Sequence, residues 1–239
     1  MFTDNPTIPT QLEVLLDVVH EMRQRKAGVD ALRQLIQPKG LPGLTDGSAQ
    51  VDNHISAARE LALIKIDDGN NIRLNYPVRD THEVKAAIVS AFDRIALADS
   101  QVEKWAGRYY GFLIAQPQDD VIRSVVSSDL FAIRFMSSLR SDIDKGNPMN
   151  ADKHRALMRW FPYVGLGWMD PAGHFTPDPT TRLARALPAI FARDRKLDAG
   201  QFMDRLAQAC PELDGGVLFN DATSEIYHTA DRQCTQALA

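Results

Sequence analysis

The sequence predicts a mainly α-helical protein with small β-hairpin wings, in which tandem winged-helix (helix-turn-helix) units are joined by a helical middle segment. Three observations carry this expectation. Apolar residues recur at helical spacing through most of the chain. Two short alternating stretches, 63–76 and 166–176, each enclose a turn rich in Asp, Gly, Asn or Pro, as a hairpin requires. Each hairpin directly follows a helix. The domains expected are a winged helix over 8–78, a helical linker segment over 80–118, a second winged-helix-like unit over 119–177, and a C-terminal helical segment over 178–239.

In the first unit, Thr10 can cap a helix with Glu13 three residues on, and Leu12, Leu15, Leu16, Val19 and Met22 share one face. A shorter helix reads from Val29 to Ile36, with Asp30 in its first turn and Pro38 and Gly40 stopping it. After a loop over 40–47, a third helix runs from Ser48 to about Leu63, with Val51, Ile55, Ala58, Leu61 and Ala62 as its buried stripe. Strands near 63–67 and 71–76 then flank the turn Asp67-Asp68-Gly69-Asn70-Asn71.

A third helix so placed enters the DNA major groove in standard complexes. Its outward positions are read as Gln50, Asp52, Asn53, His54, Ser56 and Arg59. Gln and Asn pair with adenine and Arg with guanine, so Gln50, Asn53, His54 and Arg59 are candidate base readers. Against this stand Asp52 and the acidic tip Asp67-Asp68, and residues 1–79 hold nine Lys/Arg against ten Asp/Glu. The alternative is a winged helix that mediates dimerisation or subunit contact.

Pro77 and Asp80 mark a boundary, after which helices are expected over 81–97, 101–114 and 119–143, the last with a break at 127–129. Trp105, Tyr109, Phe112, Phe131 and Phe135 read as core, with a base-stacking platform as the alternative. Asn150 caps a helix from Ala151 to about Val164, and Gly165-Leu166-Gly167-Trp168-Met169 leads into a hairpin that turns at 170–173. Laying Leu63 on Leu166 also lays Asp67 on Asp170 and Ile72 on Phe175, so the second unit echoes the first. Lys153, His154, Arg155 and Arg159, flanked by Arg134, Arg140 and Lys145, form a basic run suited to phosphate; the alternative is a solvated face. Helices over 179–191 and 199–210, a turn over 211–216 and a short strand Val217-Leu218-Phe219 follow. A last helix over 230–238 ends inside its own pattern, as if a third winged-helix unit continued beyond Ala239.

Bulk properties narrow the function. A net charge of -4 argues against a protein that coats nucleic acid by electrostatics alone, though a local patch is compatible with it. Cys210 and Cys234 make neither a disulfide framework nor a cysteine-rich zinc site. No signal peptide and no apolar run long enough to span a membrane is read, so a cytoplasmic protein is expected. The six histidines are scattered without a ligand pair, and Gly165-Leu166-Gly167 lacks the third glycine and the βαβ setting of a phosphate loop. Asp170, Asp178 and Asp214 read as turn and cap residues. No enzyme activity, cofactor or metal is expected.

Gly165-Leu166-Gly167-Trp168, Phe175-Thr176-Pro177-Asp178-Pro179-Thr180 and Cys210-Pro211-Glu212-Leu213-Asp214-Gly215-Gly216 resemble the DpdG family, as does the lead Pro9-Thr10-Gln11-Leu12. Its clusters insert 7-deazaguanine derivatives into bacterial DNA and restrict unmodified DNA. The resemblance implies a non-catalytic component of a DNA-restriction or anti-phage system. Double-stranded DNA, a helicase or nuclease on another chain, and a second copy of this chain are the partners expected, with no membrane. A transcriptional regulator and a protein-interaction scaffold without DNA binding remain the alternatives.

Overall fold

The computed structural model describes residues 7–22, 28–38, 40, 49–77, 81–98, 103–117, 128–224 and 226. Expectations for 41–48, for 118–127 and for the last helix at 230–238 lie outside the described residues. The chain forms two compact units, Met1–Ile95 and Ala96–Ala239. Both are mainly helical, and each carries one two-stranded antiparallel hairpin.

The first unit contains α1 (Pro9–Met22), α2 (Val29–Ile36), α3 (Ala49–Glu60), β1 (Ile64–Ile66), β2 (Ile72–Leu74) and α4 (Thr81–Ile95). Helix α1 packs on α2, α3, α4 and β2. Its apolar stripe explains why: Leu12, Leu15, Leu16 and Val19 are each at most 1% exposed. Burial of one such side chain stabilises by roughly 1.5–3 kcal/mol. The tip of the hairpin is tied to the start of α2. Gly28 forms an antiparallel bridge with Asn71, and the Val29 amide donates to the Asn70 carbonyl at 3.1 Å.

The second unit contains α5 (Ala106–Ala115), α6 (Ser128–Ser138), α7 (Ala151–Tyr163), β3 (Gly167–Met169), β4 (Phe175–Pro177), α8 (Thr180–Ile190) and α9 (Ala199–Ala209), followed by α10 over residues 217–224. Every residue of α5 from Ala106 to Leu113 is buried. Tyr109 and Phe112 meet Phe135 of α6 edge-on, with centroids 5.0 and 5.5 Å apart, so these aromatics are core. The segment expected as a linker divides between the units: α4 packs on α1, and α5 lies at the heart of the second unit.

The two hairpins repeat each other bond for bond at residues 103 apart, as with Leu63 and Leu166. At the end of α3, Ala62 is left-handed (φ 54°), its amide donates to Arg59, and the Leu63 amide donates to Ala58. At the end of α7, Gly165 is left-handed (φ 74°), its amide donates to Pro162, and the Leu166 amide donates to Phe161. This paired bonding is the Schellman helix stop. The strand registers then match, Ile64 with Leu74 and Gly167 with Pro177. Each turn carries a left-handed residue, Asn70 or Gly173, and an Asp that bonds back onto the turn.

Three elements differ from expectation. Helix α6 stops at Ser138 rather than near 143, because the Arg140 amide donates to the Asp221 carbonyl at 3.0 Å and draws the chain away. Helix α5 starts at Ala106, since the Glu103 carboxylate accepts from the Trp105 amide just before it. Residues 217–219 are helical, not a strand. Their amides face back into the turn, with Leu218 and Phe219 both donating to the Pro211 carbonyl.

The two caps give reciprocal expectations. Ala62→Gly should raise stability by about 1 kcal/mol, because the left-handed conformation penalises a Cβ. Gly165→Ala should lower it by at least about 2 kcal/mol, since the added Cβ would also lie 2.8 Å from Thr181 Cγ2. Urea unfolding of both variants checks this, and a destabilised Ala62→Gly protein would refute it.

Candidate nucleic-acid interface

The candidate base readers of α3 differ in exposure. Gln50 and Arg59 are exposed, and Asn53 is half-buried. His54 is a correction: it is 3% exposed and belongs to the core. Its Nδ1 lies 2.6 Å from the Gln50 carbonyl, and its Nε2 accepts from the Ile8 amide at 3.3 Å. Those partners require the proton on Nδ1 and leave the ring no free edge. Asp52, which should repel phosphate, is held by Arg33 at 2.7 Å, and Arg33 also pairs with Asp30. One cation is thus shared by two carboxylates, and the trio keeps a net negative charge.

The basic run of α7 is reorganised more severely. Lys153 and His154 are each 2% exposed. The Lys153 ammonium donates to the Asn147 carbonyl at 2.7 Å, to the Pro148 carbonyl at 3.0 Å and to the Asn147 side chain. Trp105 Nε1 donates to the same Asn147 carbonyl. Burying a lone ammonium is costly, but an oxygen cage offsets the desolvation, and here it pins the loop before α7. His154 Nδ1 meets the Tyr109 hydroxyl at 2.6 Å. Burial pushes the imidazole down to about 4, with a smaller contribution from Arg155, so it is neutral near pH 7. Only Arg155 and Arg159 of this run lie on the surface, one turn apart, and Arg155 pairs with Asp152.

Two of the three flanking cations are also engaged. Arg134 donates to Gln116 and sits over the Phe131 ring. Arg140 pairs with Asp142 at 2.6 Å and approaches Asp221 at 3.1 Å. Lys145 is exposed.

The hairpins carry surface chemistry that the sequence reading passed over. Lys65 of β1 stands directly opposite Arg73 of β2, and both are exposed. The matching position of the second hairpin holds Trp168 opposite Thr176, with Trp168 52% exposed. Asp67, read as an acidic tip, has its carboxylate turned onto the Gly69 and Asn71 amides and the Asn71 side chain. Those bonds hold it below the usual carboxylate range.

The sequence did contain the signal for these placements. His54 falls three residues after Val51 and four before Ala58, inside the buried stripe. Lys153 and His154 precede Leu157 by four and three, on the stripe that continues through Trp160 and Phe161. Lys65 and Arg73 alternate with apolar neighbours, which turns them outward.

Among the described residues, no group of three His, Cys, Asp or Glu could hold a metal ion. None of their helices is long and apolar enough to cross a membrane.

A model of the DpdG-like family matches residues 2–239, essentially the whole chain. The chain belongs to this family. No curated protein and no solved structure matches it. In this member of the DpdG-like family several of the motif residues are architectural. Gly165 is the left-handed cap, and a Cβ on Gly167 would lie 2.2 Å from the Thr176 carbonyl. Glu212 is fully buried against Arg182 at 2.9 Å, and Gly216 packs on the Pro211 backbone.

Lys153→Met should cost about 2 kcal/mol, the penalty of unpaired buried carbonyls. It should leave the salt dependence of any DNA binding unchanged; a flattened dependence in a folded variant would return Lys153 to the interface. The His154 shift gives a pH expectation. The folded imidazole titrates below its ordinary 6.5, so the unfolded chain binds the extra proton between 6.5 and about 4. Stability should therefore fall as pH drops through that window, by up to roughly 3 kcal/mol. The double variant Tyr109→Phe/His154→Leu, which leaves no orphaned hydroxyl, should lose that part of the slope in denaturant titrations.

Proposed function

We propose that this chain is a non-catalytic DNA-binding or assembly subunit of a Dpd DNA-restriction system, with the nuclease or helicase on another chain. Family membership supplies the setting. The observation that carries the DNA-binding part is the first unit. Three helices are followed by a hairpin, and the chain entering α2 bridges the hairpin at Gly28 and Asn71. That order, with one bridge residue, Gly28, paired to the hairpin at the entry to α2, reads as a winged helix. Helix α3 then stands as the recognition helix and offers Gln50, Asn53 and Arg59 to base edges.

The non-catalytic part rests on the sequence, which carries no recognisable nucleophile, phosphate-loop or metal-ligand motif. Other subunits of the system are the protein partners this reading requires, and a second copy of the chain is compatible with it.

The test is titration of purified protein into fluorescent duplex DNA at low salt. Binding is expected, and Asn53→Ala or Arg59→Ala should change sequence preference by about 1–3 kcal/mol per lost base contact. Absence of binding to every duplex would favour the protein-interaction scaffold. Magnesium-dependent cleavage or nucleotide hydrolysis that a point substitution abolishes would overturn the non-catalytic role.

A further inference from the structure

We propose that the outer face of the first hairpin, where Lys65 stands opposite Arg73, grips the sugar–phosphate backbone of nucleic acid, and that the equivalent face of the second hairpin does not. This deepens the DNA-binding reading above and rests on it.

The strand register makes Lys65 and Arg73 direct partners, with Ile64 and Ile72 buried on the opposite face. Both cations therefore project outward from one patch of sheet. Like charges at directly opposed strand positions repel and destabilise a sheet. An anion lying across the pair removes that repulsion and gains two charge-assisted contacts.

The second hairpin shows that the fold does not demand this pair. It has the same helix stop, turn and register, yet Trp168 and Thr176 occupy the positions of Lys65 and Arg73. The cations are thus a property of the first hairpin's surface and not of hairpin construction.

The turn between them is acidic and Asp67 attracts Arg73, but its carboxylate is directed into the turn by hydrogen bonds from the Gly69 and Asn71 amides and the Asn71 side chain, which leaves the two cationic groups on the strands. The patch is also held firmly. Asn75 fastens the hairpin base through its amide to Leu63 and its side chain to Ala62, and the tip is fastened to α2 at Val29. A rigid cation pair that reads no base edge, close in sequence to a helix with exposed Gln50 and Arg59, suits the positioning role of phosphate contacts.

The experiment is a salt titration of duplex binding for the full chain, its Lys65→Ala/Arg73→Ala variant and Trp168→Ala. Each phosphate contact contributes about 0.9 to the slope of log affinity against log salt, so the double variant should flatten it by up to about two units. Trp168→Ala should keep the wild-type slope. Lys65→Glu supplies a second measurement. It places opposite charges across the strands, so it should raise the unfolding midpoint while weakening duplex binding. An unchanged slope in a double variant that still binds would overturn this assignment and leave the DNA-binding reading standing. No duplex binding by the wild type would overturn both. Equal flattening by Trp168→Ala would mark a general effect and overturn the division between hairpins. Competition by poly-glutamate as strong as duplex at matched charge would replace nucleic acid by an acidic protein partner.

Discussion

Both hairpins depend on how a helix is stopped. A helix left to its own periodicity would carry Leu63 and Leu166 onward into solvent. A left-handed residue at the stop lets the next amide reach back to a carbonyl five residues earlier, and the chain reverses sharply. The apolar residue after the cap is driven under the helix end: Leu63 is 2% and Leu166 0% exposed. From that point the strand direction is set, the register follows, and the alternation of inward and outward side chains is fixed. The first unit achieves this with Ala62 despite the steric penalty, while the second uses Gly165.

Charge in the second unit is spent on holding the structure together. Lys153, Arg108 and Arg182 are buried, and each donates to oxygens brought in from other parts of the same unit. Arg108 reaches Asp221 of α10, and Arg182 reaches Glu212 before it. These pairs cross from one element to another, so they fix how α5, α8 and the C-terminal turn dock. Buried pairs of this kind add little net stability compared with apolar packing, but breaking one partner is costly. They specify an arrangement more than they strengthen it.

That use of charge decides where a polyanion can be met. A basic run on a helix looks like a phosphate site only while every member is taken to be exposed. Once Lys153 and His154 turn inward, α7 keeps two surface arginines, one already paired. In the first unit the balance moves the other way. Asp52 and Asp67 are engaged locally, and the cations of the hairpin stay outward. In that unit Lys65 and Arg73 share one outward face of the hairpin, while Asp67 lies at its turn and Asp52 beside Arg33, so geometry and not composition sorts the charges.

The sequence alone determined the order of elements as far as α9, and not the helix α10 that stands where a strand was expected. Apolar periodicity fixed the helices, the Asp, Gly and Asn turns fixed both hairpins, and the spacing from Leu63 to Leu166 revealed the repeat. These are local signals, carried by residues within one turn or one hairpin of each other. Even the burial of His54, Lys153 and His154 was written in their helical phase, but polar residue type outweighed phase in the reading. What the tertiary structure decided was the partners: the Asn147 loop around Lys153, Tyr109 against His154 and the Asp221 backbone that ends α6. Each joins residues brought together by packing, from 6 positions apart for Lys153 and Asn147, through 45 for Tyr109 and His154, to 81 for Arg140 and Asp221. No periodicity encodes such a contact, because it exists only after the core has closed and a buried polar group must find whatever oxygen or proton lies within reach.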